Sequence, residues 1–325
     1  MLLNPAKFGA LAGAVLLAAV CAVPAMAQEQ KSVAVLAIVE HPALDAVRDG
    51  VKEALADAGY EQGKNLQWQY QSAQGNVGTA AQIARMFVGD NPDVIVAIAT
   101  PAAQAVAAAT KSVPLVYSAV TDPVAAQLVK SWEPSGTNVT GVSDELALER
   151  QLELIKRILP DAKRVGMVYN PGEANSAVVV AQLKELLPKH GMTLVEAAAP
   201  RTVDVSSAAG RLAGKVDVIY TSTDNNVVSA YEALVKVGND TKTPLIAADT
   251  DSVKRGAIAA LGLNYHDLGV QTGKQVVRIL KGEAPGSIAS QRSDNLDLFV
   301  NLKAAERQGV TVPAEVIEAA TEVIR

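Results

Sequence analysis

The sequence repeats itself, and that repeat limits what the chain can fold into. Val33-Ala-Val-Leu-Ala-Ile38, followed by Val51-Lys-Glu-Ala-Leu55 and Gly59, matches Val165-Gly-Met-Val-Tyr-Asn170, followed by Leu183-Lys-Glu-Leu-Leu187 and Gly191. Every position is offset by 132, with no gap over 27 residues. Further on, Asp93-Val-Ile-Val96 matches Asp217-Val-Ile-Tyr220, and Val113-Pro-Leu-Val116 matches Thr243-Pro-Leu-Ile246. A shared apolar pattern would follow from any two α/β stretches. The shared Lys-Glu, Gly and Pro point further, to two similar βα domains in tandem.

Apolar runs near 33 to 39, 65 to 72, 94 to 99, 113 to 120, 165 to 170, 193 to 198, 216 to 222 and 244 to 248 read as strands, most of them followed by an amphipathic helical pattern. That alternation predicts an α/β protein with parallel sheets. Val94-Ile-Val-Ala-Ile-Ala99 is apolar at every position, as a strand covered on both faces must be. In such sheets ligands bind beyond the carboxyl ends of the strands, where loops lead into helix N-termini.

The N-terminal stretch stands apart. Lys7 precedes an apolar, Ala-rich run from Phe8 to Val23, and Ala25-Met26-Ala27 fits a small-x-small cleavage site, so residues 1–27 are expected to be a removed secretory signal. That run is shorter than the roughly 20 apolar residues that cross a bilayer. A periplasmic protein follows, and lipid anchoring through Cys21 is disfavoured because Val20 stands where lipoprotein signals carry a small residue. Cys21 is the one cysteine, so the mature chain has no thiol for disulfides, nucleophilic catalysis or metal binding. Without the signal, 28 basic residues face 34 acidic ones, a net charge of −6 with no basic cluster, which argues against a nucleic-acid partner.

The strand ends are polar, small and mostly uncharged. Thr100-Pro101 is a helix start, and its free N–H groups, at Ala102 among others, could also hold a carboxylate. Asn175 and Ser176 begin the helix that aligns with the one after Glu40-His41-Pro42, where either residue could cap or meet a ligand. Thr221 to Asn226 gives six consecutive polar residues, more than one helix N-terminus requires. Asp224 within it is expected to pair with a ligand ammonium, with Asp249 as the second candidate.

Chemistry for an enzyme is sparse. His41, His190 and His266 lie far apart and lack metal-site spacing, and no Gly-x-Ser-x-Gly elbow, Walker loop or dinucleotide fingerprint appears in the mature chain. No metal and no cofactor is expected. A secreted enzyme using two carboxylates on a small polar substrate remains an alternative, as does a ligand sensor for a membrane receptor.

Seven stretches together resemble the ABC-transporter substrate-binding proteins of the type I periplasmic binding fold, in the tryptophan- and tyrosine-binding branch. They are Val39-Glu-His-Pro-Ala-Leu-Asp45 with Gly59-Tyr60, Ala99-Thr-Pro-Ala-Ala-Gln104, Val120-Thr-Asp-Pro-Val124, Asn138-Val-Thr-Gly-Val142, Tyr169-Asn-Pro-Gly-Glu-Ala-Asn-Ser176, Ser252-Val-Lys-Arg-Gly-Ala257, and Asn301-Leu-Lys-Ala-Ala305 with Gly309. The resemblance implies two doubly wound, Rossmann-like lobes joined by a three-segment hinge, a small-molecule ligand closed between them, and delivery to a membrane permease by a monomer. It places first-lobe contacts at Thr100, Ala102, Thr121 and Asp122, and second-lobe contacts at Asn170, Asn175, Ser176, Asp224, Asn225 and Asp249. Crossovers are expected near Ser143-Asp144, Thr250 to Ser252 and Glu283 to Ala289, dividing the chain into lobe 1 (28–143 plus 252–284) and lobe 2 (144–251 plus 285–325). An amino-acid-like ligand follows, aromatic amino acids included, although the chain holds only three Phe, two Trp and seven Tyr. Tyr117, Tyr169 and Tyr220 lie near strand ends, where each could line a pocket or fill a core.

Overall fold

The structure is a computed structural model that describes residues 30–325, so the expected signal segment and Cys21 lie outside the described residues. The first half of the repeat runs β1 (Lys31–Ala37), α1 (Pro42–Asp57), β2 (Leu66–Ser72), α2 (Val77–Asp90), β3 (Val94–Ile98), α3 (Thr100–Ala109), β4 (Leu115–Ser118) and β5 (Val139–Ser143). The second half runs α4 (Leu148–Ile158), β6 (Arg164–Tyr169), α5 (Ala174–Leu186), β7 (Thr193–Ala198), α6 (Val205–Leu212), β8 (Val218–Thr221), α7 (Asn225–Ser229), α8 (Tyr231–Thr241), β9 (Leu245–Ala247), α9 (Thr250–Arg255) and β10 (Ala259–Leu263). Then come α10 (Tyr265–Leu280), β11 (Gln291–Arg292), β12 (Leu296–Asn301), α11 (Leu302–Arg307), α12 (Ala314–Glu318) and β13 (Glu322–Ile324).

The two sheets share one strand order. Lobe 1 reads β5-β4-β3-β1-β2 and lobe 2 reads β10-β9-β8-β6-β7, all parallel, with β11 added beside β5 and β12 and β13 added beside β10. Of the additions, β12 runs antiparallel to β10. The residues that carry the repeat do the same work in both lobes. Asp93 accepts from the Ser32 backbone N–H at 2.7 Å, and Asp217 from that of Arg164 at 2.7 Å, each tying the start of one strand to the start of its neighbour. The Pro114 carbonyl accepts from the Ile95 N–H as the Pro244 carbonyl does from the Ile219 N–H, both at 2.8 Å. Gly59 and Gly191 each follow a helix with positive φ, 87° and 67°, a conformation that favours glycine.

Both faces of each sheet are buried. Val165, Met167, Val218, Tyr220 and Ile246 join one apolar cluster of lobe 2, and their neighbours Val168, Ile219, Leu245 and Ala247 join another on the opposite face. This is the two-sided burial that uninterrupted apolar strands imply.

The chain passes between the sheets three times, after β5, after β10 and after β11. The first passage begins at the expected Ser143-Asp144, but the other two need correction. The segment at 250–252 starts α9, which packs on β10 and β12 of lobe 2. The second passage therefore comes at Asn264, because residues 259–263 form one more strand of the second sheet. The third comes at 293–295, since β11 still pairs with β5 of lobe 1. Beyond Asn264, α10 returns to lobe 1 and lies against α1 at very short range. A Cβ on Gly269 would stand 2.2 Å from the Val47 carbonyl oxygen, one on Gly50 2.3 Å from that of His266, and one on Gly273 2.6 Å from Ala54 Cβ.

Three interlocked glycines therefore set the α1–α10 spacing. Gly269→Ala is expected to destabilise the protein by about 1–3 kcal/mol through overpacking. Gly210→Ala in α6, where nothing lies within 4 Å of the added methyl, is expected to stabilise it by about 0.4–1 kcal/mol. Urea midpoints at constant slope would check both.

Candidate functional site

The carboxyl ends of the strands of both sheets converge on one enclosed cavity. Lobe 1 contributes His41, Ala43, Leu44, Ala99, Thr100, Ala119 and Thr121; lobe 2 contributes Asn175, Thr223, Asn225, Val228 and Asp249; the crossovers contribute Asp144 and Tyr265. Its walls close tightly, leaving a cavity volume of about 10 Å³. A second compartment, with a cavity volume of about 20 Å³, shares Thr121, Asp144 and Thr223 with it and is more apolar, walled by Leu146, Leu148, Val179, Tyr220 and Ala248, with Glu145 and Gln182 beside them. A roomier groove between α4, α5 and residues 292–296 is open to solvent and adjoins the second compartment at Glu145, Leu146, Leu148 and Gln182. Ligands in parallel sheets sit at the strand ends, so the enclosed cavity is the candidate site.

Each lobe-1 wall residue is set by the turn that follows its strand. Ala99 takes φ 77° and ψ 155°, a region nearly reserved for glycine, while its N–H donates to the Ser118 carbonyl at 2.9 Å. Ala119 also has positive φ, 54°. Two strained alanines thus line one cavity, and strain of this kind persists where the surrounding structure holds a functional geometry in place. Ala99, not Thr100, occupies the N-cap of α3, so the Thr100 hydroxyl makes no capping bond. His41 caps α1 through its backbone carbonyl alone, which accepts from Asp45 at 3.0 Å. Burial, with a smaller push from Arg255, lowers its imidazole to about 3. A neutral imidazole therefore faces the cavity at physiological pH.

Two carboxylates line the site. Asp144 accepts from Thr121 Oγ1 at 3.0 Å and from the Tyr265 hydroxyl at 2.8 Å; Asp249 accepts from the backbone N–H and hydroxyl of Ser252 at 2.8 and 2.6 Å. Both are buried, and burial raises both above the usual carboxylate range. Among the described lining residues there is no lysine or arginine. Four lining groups, His41 Nδ1, Thr100 Oγ1, Asn175 Oδ1 and Ser222 Oγ, are buried without any hydrogen-bond partner. Buried polar atoms are rarely left so, because each costs about 1–3 kcal/mol.

The family of ABC transporter substrate-binding proteins matches residues 32–324. The chain belongs to that family. The chain is 40% identical over 284 residues to the tyrosine-binding protein of Clostridioides difficile strain R20291, covering 86% of this chain and 82% of that one. Among solved structures, a conserved domain protein from Vibrio cholerae is 52% identical with a TM-score of 0.90, covering 91% of this chain and all of that one. A Streptococcus pneumonia ABC domain in complex with L-Trp is 35% identical with a TM-score of 0.88, over the same shares. The ligand-free, open structure of a substrate-binding protein with adhesive properties from Clostridium difficile is 41% identical, yet has a TM-score of only 0.68, covering 90% and 99%. This substrate-binding protein thus lies closer in shape to the Trp-bound relative than to the open one, despite lower identity to the former.

Of the residues expected to contact ligand, Thr100, Thr121, Asn175, Asn225 and Asp249 line the cavity of this substrate-binding protein. Ala102 is fully buried behind it. Asp122 closes a local turn by accepting from the Val124 and Ala125 N–H groups, both at 2.9 Å. The Asn170 side chain accepts from the Gly172 N–H at 2.9 Å and stays within its own turn. Ser176 donates to Asp224 at 2.6 Å. Asp224 itself is fully buried, outside the lining, and taken up by protein donors: the Val227 N–H at 3.0 Å, the Asn170 N–H at 2.6 Å and Ser176. It caps α7 and ties that helix to the loop after β6, so it is not placed to clamp a ligand cation.

The sequence reading missed His41, Asp144 and Tyr265 as contacts. His41 stood in a strand-end stretch and Asp144 in an expected crossover, which was the available signal; Tyr265 was visible only once α10 had been placed in lobe 1. Tyr117 is a core residue, Tyr169 bonds Glu196 at the surface, and Tyr220 lines the second compartment.

Asp224→Ala removes a cap and leaves the buried Asn170 N–H and Ser176 hydroxyl unpaired. We expect a loss of stability of about 2–4 kcal/mol, checked by chemical denaturation, with lobe 2 the less protected lobe in hydrogen exchange.

Proposed function

We propose that this extracytoplasmic substrate-binding protein takes up an α-amino acid with an aromatic side chain, tyrosine or tryptophan, and hands it as a monomer in the periplasm to an ABC permease. The observation that carries the reading is the enclosed interlobe cavity, lined across its two compartments by Asp144, Asp249 and Glu145, of which Glu145 pairs with Arg292, and by four unpartnered polar groups, with no lysine or arginine among its described lining residues. The ammonium of the ligand sits at Asp144 and Asp249, which keep lone pairs free after their protein donors are counted. A cation there restores the ionised carboxylates that burial disfavours. Its carboxylate meets the start of α3, where the Thr100 hydroxyl and the first N–H groups of the helix lack partners. The aromatic ring enters the second, more apolar compartment against Tyr220, Leu146 and Val179. The 40% identical relative named for tyrosine and the 35% identical relative holding L-Trp support the ligand class. The absence of family motifs for catalysis and the solute-binding family itself support a binding role without chemistry.

Calorimetry with L-tyrosine and L-tryptophan tests this directly. Asp144→Asn is expected to weaken binding by about 2–5 kcal/mol, thirtyfold or more. The deaminated analogue 3-(4-hydroxyphenyl)propionate should bind wild type and variant alike. Equal affinity of L-tyrosine for both proteins would remove Asp144 from the ammonium site, and absence of heat with either amino acid would overturn the ligand class.

A further inference from the structure

Behind the lobe-2 wall lies a carboxylate that the binding scheme does not use. Glu173 caps α5 through its backbone carbonyl alone, which accepts from the Ala177 N–H at 3.0 Å; its side chain reaches across to the start of α7. Oε2 accepts from Asn225 Nδ2 at 2.6 Å, from the Asn225 backbone N–H at 3.2 Å and from Asn175 Nδ2 at 3.2 Å, while Oε1 accepts from Asn170 Nδ2 at 3.4 Å. Glu173 is 5% exposed. Asn175 and Asn225 both line the cavity.

We infer that Glu173 is a positioning residue of the ligand site, that its carboxylate sets the amides of Asn175 and Asn225, and that ligand binding is coupled through it to release of a proton. The argument starts from donors and acceptors. All four groups aimed at Glu173 are donors, which only the ionised carboxylate can fully accept. With its Nδ2 turned to Glu173, and also within 3.3 Å of the Thr223 carbonyl, Asn175 presents its unpartnered Oδ1 to the cavity. That oxygen suits a ligand donor such as an ammonium. A protonated Glu173 needs an acceptor in place of one of its donors, and an Asn amide turned over supplies it, withdrawing the oxygen from the cavity.

The charge environment decides the direction. The titratable group facing Glu173 is Asp224 at the start of α7, and among the described residues neither carboxylate has an ion pair with a basic side chain. Asp224 keeps two backbone N–H donors and a hydroxyl. Burial first, and then the charge of Asp224, push Glu173 up to about 7. A ligand cation across the wall favours the ionised form and lowers that value. A folded protein whose free-state carboxyl titrates higher than its bound-state carboxyl binds fully above the free-state value and loses affinity as the pH falls through it.

The inference rests on the amino-acid reading above, and the test separates the two. L-Tyrosine titrated calorimetrically into the wild-type protein should bind about tenfold more weakly at pH 6 than at pH 8, the change expected for one linked proton whose free-state value is about 7. Heats in two buffers of different ionisation enthalpy should show proton release at pH 7. E173Q should bind more weakly than wild type at pH 8 and show a flat profile. A flat wild-type profile, or an E173Q profile parallel to it, overturns the inference. Should E173Q not fold, the pH titration of the Asn175 and Asn225 side-chain amides in the ligand-free wild-type protein decides, and signals that do not move overturn the inference. Where neither L-tyrosine nor L-tryptophan binds, the ligand reading falls first. The side-chain amide NMR signals of Asn175 and Asn225 in the ligand-free protein then decide for Glu173: titration with a midpoint near neutrality supports the positioning role, and signals that do not move overturn it.

Discussion

Much of this molecule hangs on one hydrogen-bonded chain, Thr121 Oγ1 to Asp144 to the Tyr265 hydroxyl. Asp144 opens the first passage between the lobes, Tyr265 closes the second, and Thr121 stands near the start of the loop after β4. One buried carboxylate therefore holds two of the three hinge segments in register, and the same three residues line the cavity. The Ser143 hydroxyl adds a further bond to the Thr121 carbonyl at 2.9 Å. A ligand that touches Asp144 touches the hinge, so binding and closure share an atom. Breaking one partner of such a buried network leaves the others unpaired, which is why these positions carry more than their single contacts suggest.

The internal repeat made the paired sheets legible, because strand, turn and helix residues recur with the same structural tasks. Asp93 and Asp217 show why: a carboxylate that staples two strand starts is needed once per lobe. Of the strands that were not foreseen, β5 and β10 read Val-Thr-Gly-Val-Ser and Ala-Ala-Leu-Gly-Leu, short and interrupted by glycine. Those glycines answer to neighbours far away in sequence: a Cβ on Gly141 would meet the Tyr117 carbonyl oxygen at 2.2 Å, and one on Gly262 the Ala248 carbonyl oxygen at 2.8 Å. Missing β10 displaced the second passage by a dozen residues. In the site, the strand ends were legible and the individual roles were not. A helix-capping Asp and a ligand-clamping Asp look alike in sequence; only the three donors already bound to Asp224 separate them. Asp144 offered the opposite difficulty, a connecting residue whose importance comes from where the hinge brings it.

The electrostatic character of the cleft follows from the same economy. Arg255 stands near Asp249 and His41, but its guanidinium is engaged by Glu232 at 2.7 and 2.6 Å and by the Val228 carbonyl at 2.6 Å. It tempers the field without entering the cavity. With Asp144, Asp249 and, one layer back, Glu173 and Asp224 all buried, the cleft draws cations and is costly to leave empty. The arrangement is nearer in shape to the Trp-bound relative than to the open one, and on the proposed reading it is the state in which a charged ligand would offset that cost.

The return of α10 to α1 also bears on how the chain reaches its native state. Lobe 1 is built from the beginning of the described chain and from residues 265–292, with the whole of lobe 2's parallel sheet strung between them. The glycine-to-backbone fit of Gly269 against Val47 spans more than two hundred residues. Contacts of such sequence separation form late, since loop closure must come before they contribute. Lobe 1 cannot complete its helix layer until almost all of the chain is available, so a nascent chain stays open and threadable while lobe 2, nearly continuous in sequence, is the part able to condense first.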